Sequence, residues 1–211
     1  VVLDIEAGTG LLTWDAVRRV PEGGVWALAR DEAAAEALQE QAQALDELRR
    51  PRILTGSIAS LPEQMAAQDA GRVRFDAIVG RNPFTQATAQ ERARMAETLA
   101  GLLAPAGCIS VAQTLPRHTQ RIYALVDTSS LPDDLAGRIA AAEEAIYDRA
   151  DDPWVNWEAE DLAHAFGAAG LDPVEVATEV LDSQMLITPA LVARWFATDR
   201  DGQRLTYAQH L

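Results

Sequence analysis

Val1-Val2-Leu3-Asp4-Ile5-Glu6-Ala7-Gly8-Thr9-Gly10 decides how the rest of the chain is read. Five residues rich in β-branched side chains predict a strand over Val1–Ile5, with an acid near its end. Ala7-Gly8-Thr9-Gly10 is too small and too glycine-rich to continue it, and Leu11-Leu12 begins a helical pattern. A strand, a tight glycine turn and a helix bring backbone N–H groups and the positive end of the helix against whatever lies outside the turn. This is the opening of a nucleotide-type cofactor fold.

Working outward, strand and helix signals alternate. A helix over Leu11–Val20 is closed by Pro21-Glu22-Gly23-Gly24, and Val25–Ala29 reads as the second strand. Asp31–Arg49 is a helix with Asp31 as its N-cap, arginines at its end and Pro51 as a stop. Arg52–Thr55, Val73–Val79 and Gly107–Gln113 read as strands, separated by helices over Leu61–Gln68 and Gln86–Leu103. Regular alternation implies a mostly parallel sheet covered on both faces. The pattern changes at residues 117–158, an acidic, helical insertion carrying Trp154 and Trp157 and suited to a lid. Ala159–Ala169 is a further helix. Leu171–Leu181 and Ser183–Ile187 read as two strands joined by a tight turn, hence antiparallel. The expected fold is therefore α/β, with a doubly wound, seven-stranded, mostly parallel sheet whose last strand is antiparallel. It occupies 1–188 and is followed by a helix and polar tail over 189–211.

Composition narrows the chemistry. The chain has 211 residues, 48% of them hydrophobic, enough for one domain with a core. It starts inside a strand, which reads as a piece of a longer protein with a neighbouring domain. The net charge of −14 repels phosphate backbones, so no direct nucleic-acid binding is expected. All 18 basic residues are arginine, which removes every lysine-based chemistry, Schiff bases and Walker-type phosphate binding included. Cys108 stands alone and His118, His164 and His210 are scattered, so no metal site is expected. No apolar run of about 18 residues predicts a membrane span. A cytoplasmic location is the expectation.

Four ordered motifs carry a family resemblance. Asp4-x-Glu6-Ala7-Gly8-Thr9-Gly10 resembles motif I of class I S-adenosylmethionine (SAM)-dependent methyltransferases. Phe75-Asp76-Ala77-Ile78-Val79, followed by Arg81-Asn82, resembles their fourth-strand motif. Leu102-Leu103-Ala104-Pro105-Ala106-Gly107 is similar to their helix-to-strand turn, and Trp157–Gly170 to the run before their sixth strand. More narrowly, Ala7–Trp14 and Arg18–Leu28 resemble the methyltransferase-like segment fused to RarA-type AAA ATPases in cyanobacteria. The resemblance implies a SAM-dependent methyltransferase Rossmann-like fold acting on an unidentified small-molecule or protein acceptor. Asp4, Gly8 and Gly10 would shape the methionine end of the site, Ser57 and Ile58 would flank adenine, and Glu6, Thr9 and Arg30 are further cofactor-binding candidates, although the Glu6 carboxylate would repel that of the methionine. Arg81, Asn82, Thr85 and His118 are the substrate-side candidates.

Departures from the family pattern point to a second reading. Glu6 stands where the family has glycine. The ribose-binding acid falls on Ala29, and the adenine-binding acid on Ser57. Each charge-assisted hydrogen bond contributes about 1.5–3 kcal/mol, so losing two weakens the cofactor by about two to four orders of magnitude. The alternative is a non-catalytic, methyltransferase-like interaction domain of a larger protein. Arg30 beside a small Ala29 also matches the way a nicotinamide cofactor's 2′-phosphate is accommodated, but Gly8-Thr9-Gly10-Leu11-Leu12-Thr13 lacks the third glycine of that fingerprint.

Overall fold

The computed structural model describes residues 1–197 apart from Thr128, Ser130 and Ser183. The expected tail over Arg200–Leu211 lies outside the described residues. The chain divides into two compact units: Val1–Thr114 with Glu158–Val176, and Leu115–Trp157 with the chain from Ala177 onward.

The first unit is built on a five-stranded sheet. Its strands are β1 (Val2–Asp4), β2 (Val25–Ala29), β3 (Arg52–Thr55), β4 (Phe75–Arg81) and β5 (Leu103–Ala112), in the spatial order β3-β2-β1-β4-β5. Every pairing is parallel, with Asp4 opposite Ala27 on one side and Val79 on the other. All five residues of β2 are buried, as befits a parallel strand covered on both faces. Helices α1 (Leu11–Arg19) and α2 (Glu32–Ala42) follow the first two strands, α3 (Leu61–Ala67) the third and α4 (Ala89–Leu102) the fourth. Ala7, Ala27, Ala29, Ala35 and Leu38 form one buried cluster between sheet and α2, with Trp14 against it. Trp26 meets Phe75 edge to face, with 6.0 Å between ring centroids. Helix α6 (Ala159–Ala168) brings Phe166 against Phe84 in the same arrangement at 5.7 Å.

Capping explains several boundaries. The Asp31 carboxylate accepts from the Ala34 N–H at 2.9 Å, so Asp31 is the N-cap of α2. Asp31→Ala is expected to cost about 1 kcal/mol in urea unfolding, with little change elsewhere. That helix stops at Ala42, short of the expected Arg49. Carrying it further would place Asp46 and Glu47 in its last turn, the wrong sign for the negative end of a helix dipole. Thr88 and Glu91 form a reciprocal capping box, which starts α4 three residues later than expected.

The expectation of seven strands with an antiparallel last strand is corrected. Among the described residues, 171–187 contain no strand, and the sheet ends at β5. Alternating apolar residues define a face but supply no partner strand. Val180 and Leu186 are 90% and 83% exposed, so no burial offsets the entropy of ordering them. At the other boundary, the Leu-Ala-Pro-Ala-Gly segment read as a turn is instead the irregular beginning of β5. Ala106 takes a positive φ of 65° there, and the register against β4 shifts. Pro105 is tolerated because β5 is an edge strand.

Among the described residues, the second unit has short turns at Pro116–His118 and Tyr123–Leu125 ahead of α5 (Asp133–Tyr147). Glu143 on α5 is fully buried and accepts from the backbone N–H groups of Ile122 and Tyr123 at 2.6 and 2.8 Å. Arg121 stacks on Tyr147 at 3.7 Å and pairs with Glu144. Helix α7 (Pro189–Trp195) is capped by Thr188. Among the described residues, no helix is long and apolar enough to cross a membrane.

Candidate functional site

In an open parallel sheet, ligands bind outside the carboxyl ends of the strands, where consecutive connections leave in opposite directions. Here that point lies between β1 and β4, since the chain runs from β1 to β2 on one side and returns to β4 on the other. Residues 5–10 close over it. The Ile5 N–H donates to Val79 and the Ala7 N–H to Leu28, so the start of the loop is sewn to both neighbouring strands. The Gly10 N–H then donates to the Ala7 carbonyl, making a tight turn with Gly8 at φ 50° and Gly10 at φ 89°. Both values lie in the left-handed region that only glycine enters cheaply.

The turn delivers the chain into α1 with no side-chain cap. Gly8, Thr9 and Leu11 are exposed at this end. By contrast, α2 and α4 carry caps from Asp31 and Thr88. The first turn of α1 therefore presents backbone donors and the positive helix end at the sheet's carboxyl edge. Beneath it, Asp4 is fully buried, accepting from the Thr13 hydroxyl at 2.7 Å and the Glu6 N–H at 3.3 Å. Burial pushes the Asp4 carboxyl above the usual aspartate range, while the Thr13 hydroxyl and the backbone donors oppose the rise. Thr13 is itself fully buried. Its role was not read from the sequence; a hydroxyl on the core face of α1, nine positions after a buried acid, is the signal that marks it.

Glu6 does not stay alone. Its Oε1 accepts from Arg30 Nη2 at 2.8 Å. Burial raises the Glu6 carboxyl above its ordinary value; the Arg30 charge and hydrogen bond pull it back, and the Asp4 charge adds to the rise. Ala29, the position of the ribose-binding acid in the resembling family, is fully buried in the alanine cluster. At the end of β3, Ser57 is exposed and Ile58 is buried.

On the other side of the switch point, Asn82 takes a positive φ of 59° and its side-chain oxygen accepts from the Thr114 N–H at 2.7 Å. The Thr85 hydroxyl donates to the Asn82 carbonyl at 2.9 Å. Gln113, which sequence reasoning passed over, accepts from the Phe84 N–H and donates to Thr85 Oγ1. These contacts brace the β4–α4 turn against the end of β5. Arg81 is exposed at the last position of β4, and its side chain makes no hydrogen bond or ion pair among the described residues. His118 belongs to the second unit, exposed in the short turn at Pro116–His118. No three His, Cys, Asp or Glu side chains gather as a metal site among the described residues.

No family model matches the sequence, and no curated protein matches it. Solved structures do. A Galdieria sulphuraria protein assigned as a sarcosine dimethylglycine methyltransferase superposes with a TM-score of 0.54 at 15% identity, over 80% of this chain and 53% of its own. PigF, solved with S-adenosylhomocysteine (SAH), gives 0.53 at 14% identity, over 84% of this chain and 46% of its own. The mycolic acid cyclopropane synthase CmaA1, complexed with SAH and CTAB, gives 0.52 at 17% identity, over 80% and 53%. The fold is thus the Rossmann-like α/β fold of methyltransferases. The chain spans about half the length of these proteins.

Proposed function

We propose that this chain is the cofactor-binding part of a SAM-dependent methyltransferase. One observation carries the reading. An uncapped helix start and a tight turn with Gly8 and Thr9 exposed and Gly10 buried sit above a buried acid, at the switch point of a parallel sheet. Two of the matched folds, solved with SAH, support it. Gly8 and Thr9 would hold the methionine end through backbone donors, while the Gly10 N–H, bonded to the Ala7 carbonyl, closes the turn. Asp4 fixes the loop from below through Thr13 and the Glu6 N–H. Ser57 would reach the adenine end without charge assistance.

SAM supplies an activated methyl group for in-line displacement, so the protein's task is to position an acceptor and exclude water. Arg81, an exposed cation beside the switch point, is the acceptor-side contact we favour. Asn82 and Thr85 shape the turn that holds it in place.

A second reading, a catalytically silent domain of a larger protein such as an AAA ATPase, is favoured by the fully buried Ala29. In either reading the acidic chain itself holds no nucleic acid. Calorimetric titration with SAM and SAH separates the two. The enzyme reading expects a dissociation constant of about 100 μM or tighter. No heat at millimolar ligand would leave the silent domain.

A further inference from the structure

The Glu6–Arg30 pair joins the carboxyl ends of two adjacent parallel strands. Asp4 lies opposite Ala27, so Glu6, two residues further, is level with Ala29, and Arg30 follows immediately. The carboxylate is the inner partner, 24% exposed, and the guanidinium is the outer one, 71% exposed. The bond runs beside the Gly8–Gly10 turn, across the edge that leads from the switch point towards β2. A ligand extended along that edge, with an amino-acid end at the β1 turn and a nucleoside end towards β2 and β3, must pass over this bond.

We propose that the Glu6–Arg30 ion pair is a latch across the cofactor site, closed by the chain's own residues and opened by the cofactor. The proposal rests on the SAM-binding reading above. Several features fit a latch better than a surface pair. Glu6 occupies the position where a side chain is least expected beside a glycine turn. Burial makes its charge costly, so it depends on Arg30. Asp31, the next residue, is committed to capping α2 and leaves Arg30 to Glu6. Arg30 follows Ala29, whose small side chain offers a ribose no hydrogen bond, and reaches across to Glu6.

A latch has consequences that plain repulsion between Glu6 and the methionine carboxylate lacks. It needs both partners, so removing either one opens it. It is restored when the charges are exchanged. Repulsion predicts the reverse on both counts: losing Arg30 would weaken binding, and an arginine at position 6 would strengthen it.

The test is calorimetric titration of the whole chain with SAH, at about 50 mM and about 500 mM NaCl. Wild type is compared with Glu6→Ala, Glu6→Gln, Arg30→Ala and the exchanged Glu6→Arg/Arg30→Glu protein, with thermal melts confirming folding. Both Glu6 variants and Arg30→Ala are expected to tighten SAH about fivefold to tenfold. The exchanged protein should return close to wild type. Higher salt should tighten wild type and leave Glu6→Ala unchanged. The latch is overturned if the Glu6 variants bind no better than wild type, if Arg30→Ala binds more weakly, or if salt weakens wild-type binding. Wild-type binding without improvement in the variants would remove the latch and keep the cofactor site. Silence in every protein at millimolar SAH would remove both.

Discussion

Gly10→Ala is expected to lower folding stability by about 3 kcal/mol or more, the sum of a left-handed backbone penalty and overpacking. Gly10 sits at φ 89°, where any side chain is strained. A Cβ built there would lie 2.2 Å from Trp14 Nε1 and 2.8 Å from Leu38 Cδ2. Neither neighbour can yield cheaply. Trp14 packs against the Ala7–Leu38 cluster and against a second cluster of Ala16, Val17 and Val25, and Leu38 is fully buried on α2. Most domains have only about 5–15 kcal/mol in total, so the loss is a large fraction. Urea unfolding monitored by tryptophan fluorescence measures it. A change below about 1 kcal/mol would mean that the turn is not wedged between α1 and α2 as described. Gly8→Ala offers an internal contrast. Its φ of 50° carries the backbone penalty, but its Cβ would meet nothing closer than 3.9 Å, so the smaller cost of about 1–2 kcal/mol is expected.

Thr13→Val should destabilise the protein by about 1.5–3 kcal/mol at pH values where Asp4 is ionised in the folded state, because it removes a hydrogen bond to a buried carboxylate. The substitution keeps the side-chain shape and removes only the donor to Asp4 Oδ2. Its pH dependence follows from the direction of the Asp4 shift. Burial raises the folded-state Asp4 value above that of the unfolded chain. Between the two values the folded state binds more protons, so this group's contribution to stability falls as pH rises through that window. The cost of the ionised carboxylate is fully present above the raised folded value and is relieved as pH drops through it. Without the Thr13 hydroxyl, which opposes the rise, the folded value moves higher still. The relief then begins at higher pH in the variant. The difference between wild type and Thr13→Val should therefore be largest above the raised folded-state value, where the carboxylate is ionised, and shrink as acidification protonates Asp4 in the folded state. Paired urea titrations across that transition check it, and a difference that stays flat or grows in acid would contradict the Asp4–Thr13 arrangement.

The parts of the molecule legible in the sequence share a physical cause. Val25-Trp26-Ala27-Leu28-Ala29 is buried on both faces, so an unbroken apolar run identifies it without ambiguity. Asp31 before an alanine-rich run is a local capping signal, and it is realised; Thr88 three residues before Glu91 is a signal of the same kind, and passing over it set the expected start of α4 three residues too early. The glycines of the opening turn were legible because their φ values leave few alternatives.

What was not legible depends on partners distant in sequence. Glu6 and Arg30 are 24 residues apart, and nothing local says that a carboxylate in a glycine turn and a cation after β2 will meet. Gln113 bonds to Phe84 and Thr85 across 28–29 positions for the same reason. The stretch from Leu171 to Ile187 failed in the opposite sense. Its alternation is a genuine strand signal, but a strand exists only in a ladder, and among the described residues none joins β5 there. Asn82 lies between these cases. An asparagine enters the left-handed region more readily than most residues, which fits its φ of 59°. Only the fold reveals that its side chain holds Thr114.

A nucleoside cofactor is expected to lie at the carboxyl edge, over the turn that leads into α1. Titrating isotope-labelled protein with SAH while recording backbone amide resonances tests it most directly. Perturbations should concentrate at Glu6–Leu11, Arg30–Asp31 and Gly56–Ser57, with the sheet's opposite edge, around Gly71 and Gly101, silent. Shifts confined to that opposite edge, or no shifts at millimolar SAH in either wild type or Glu6→Ala, would contradict it.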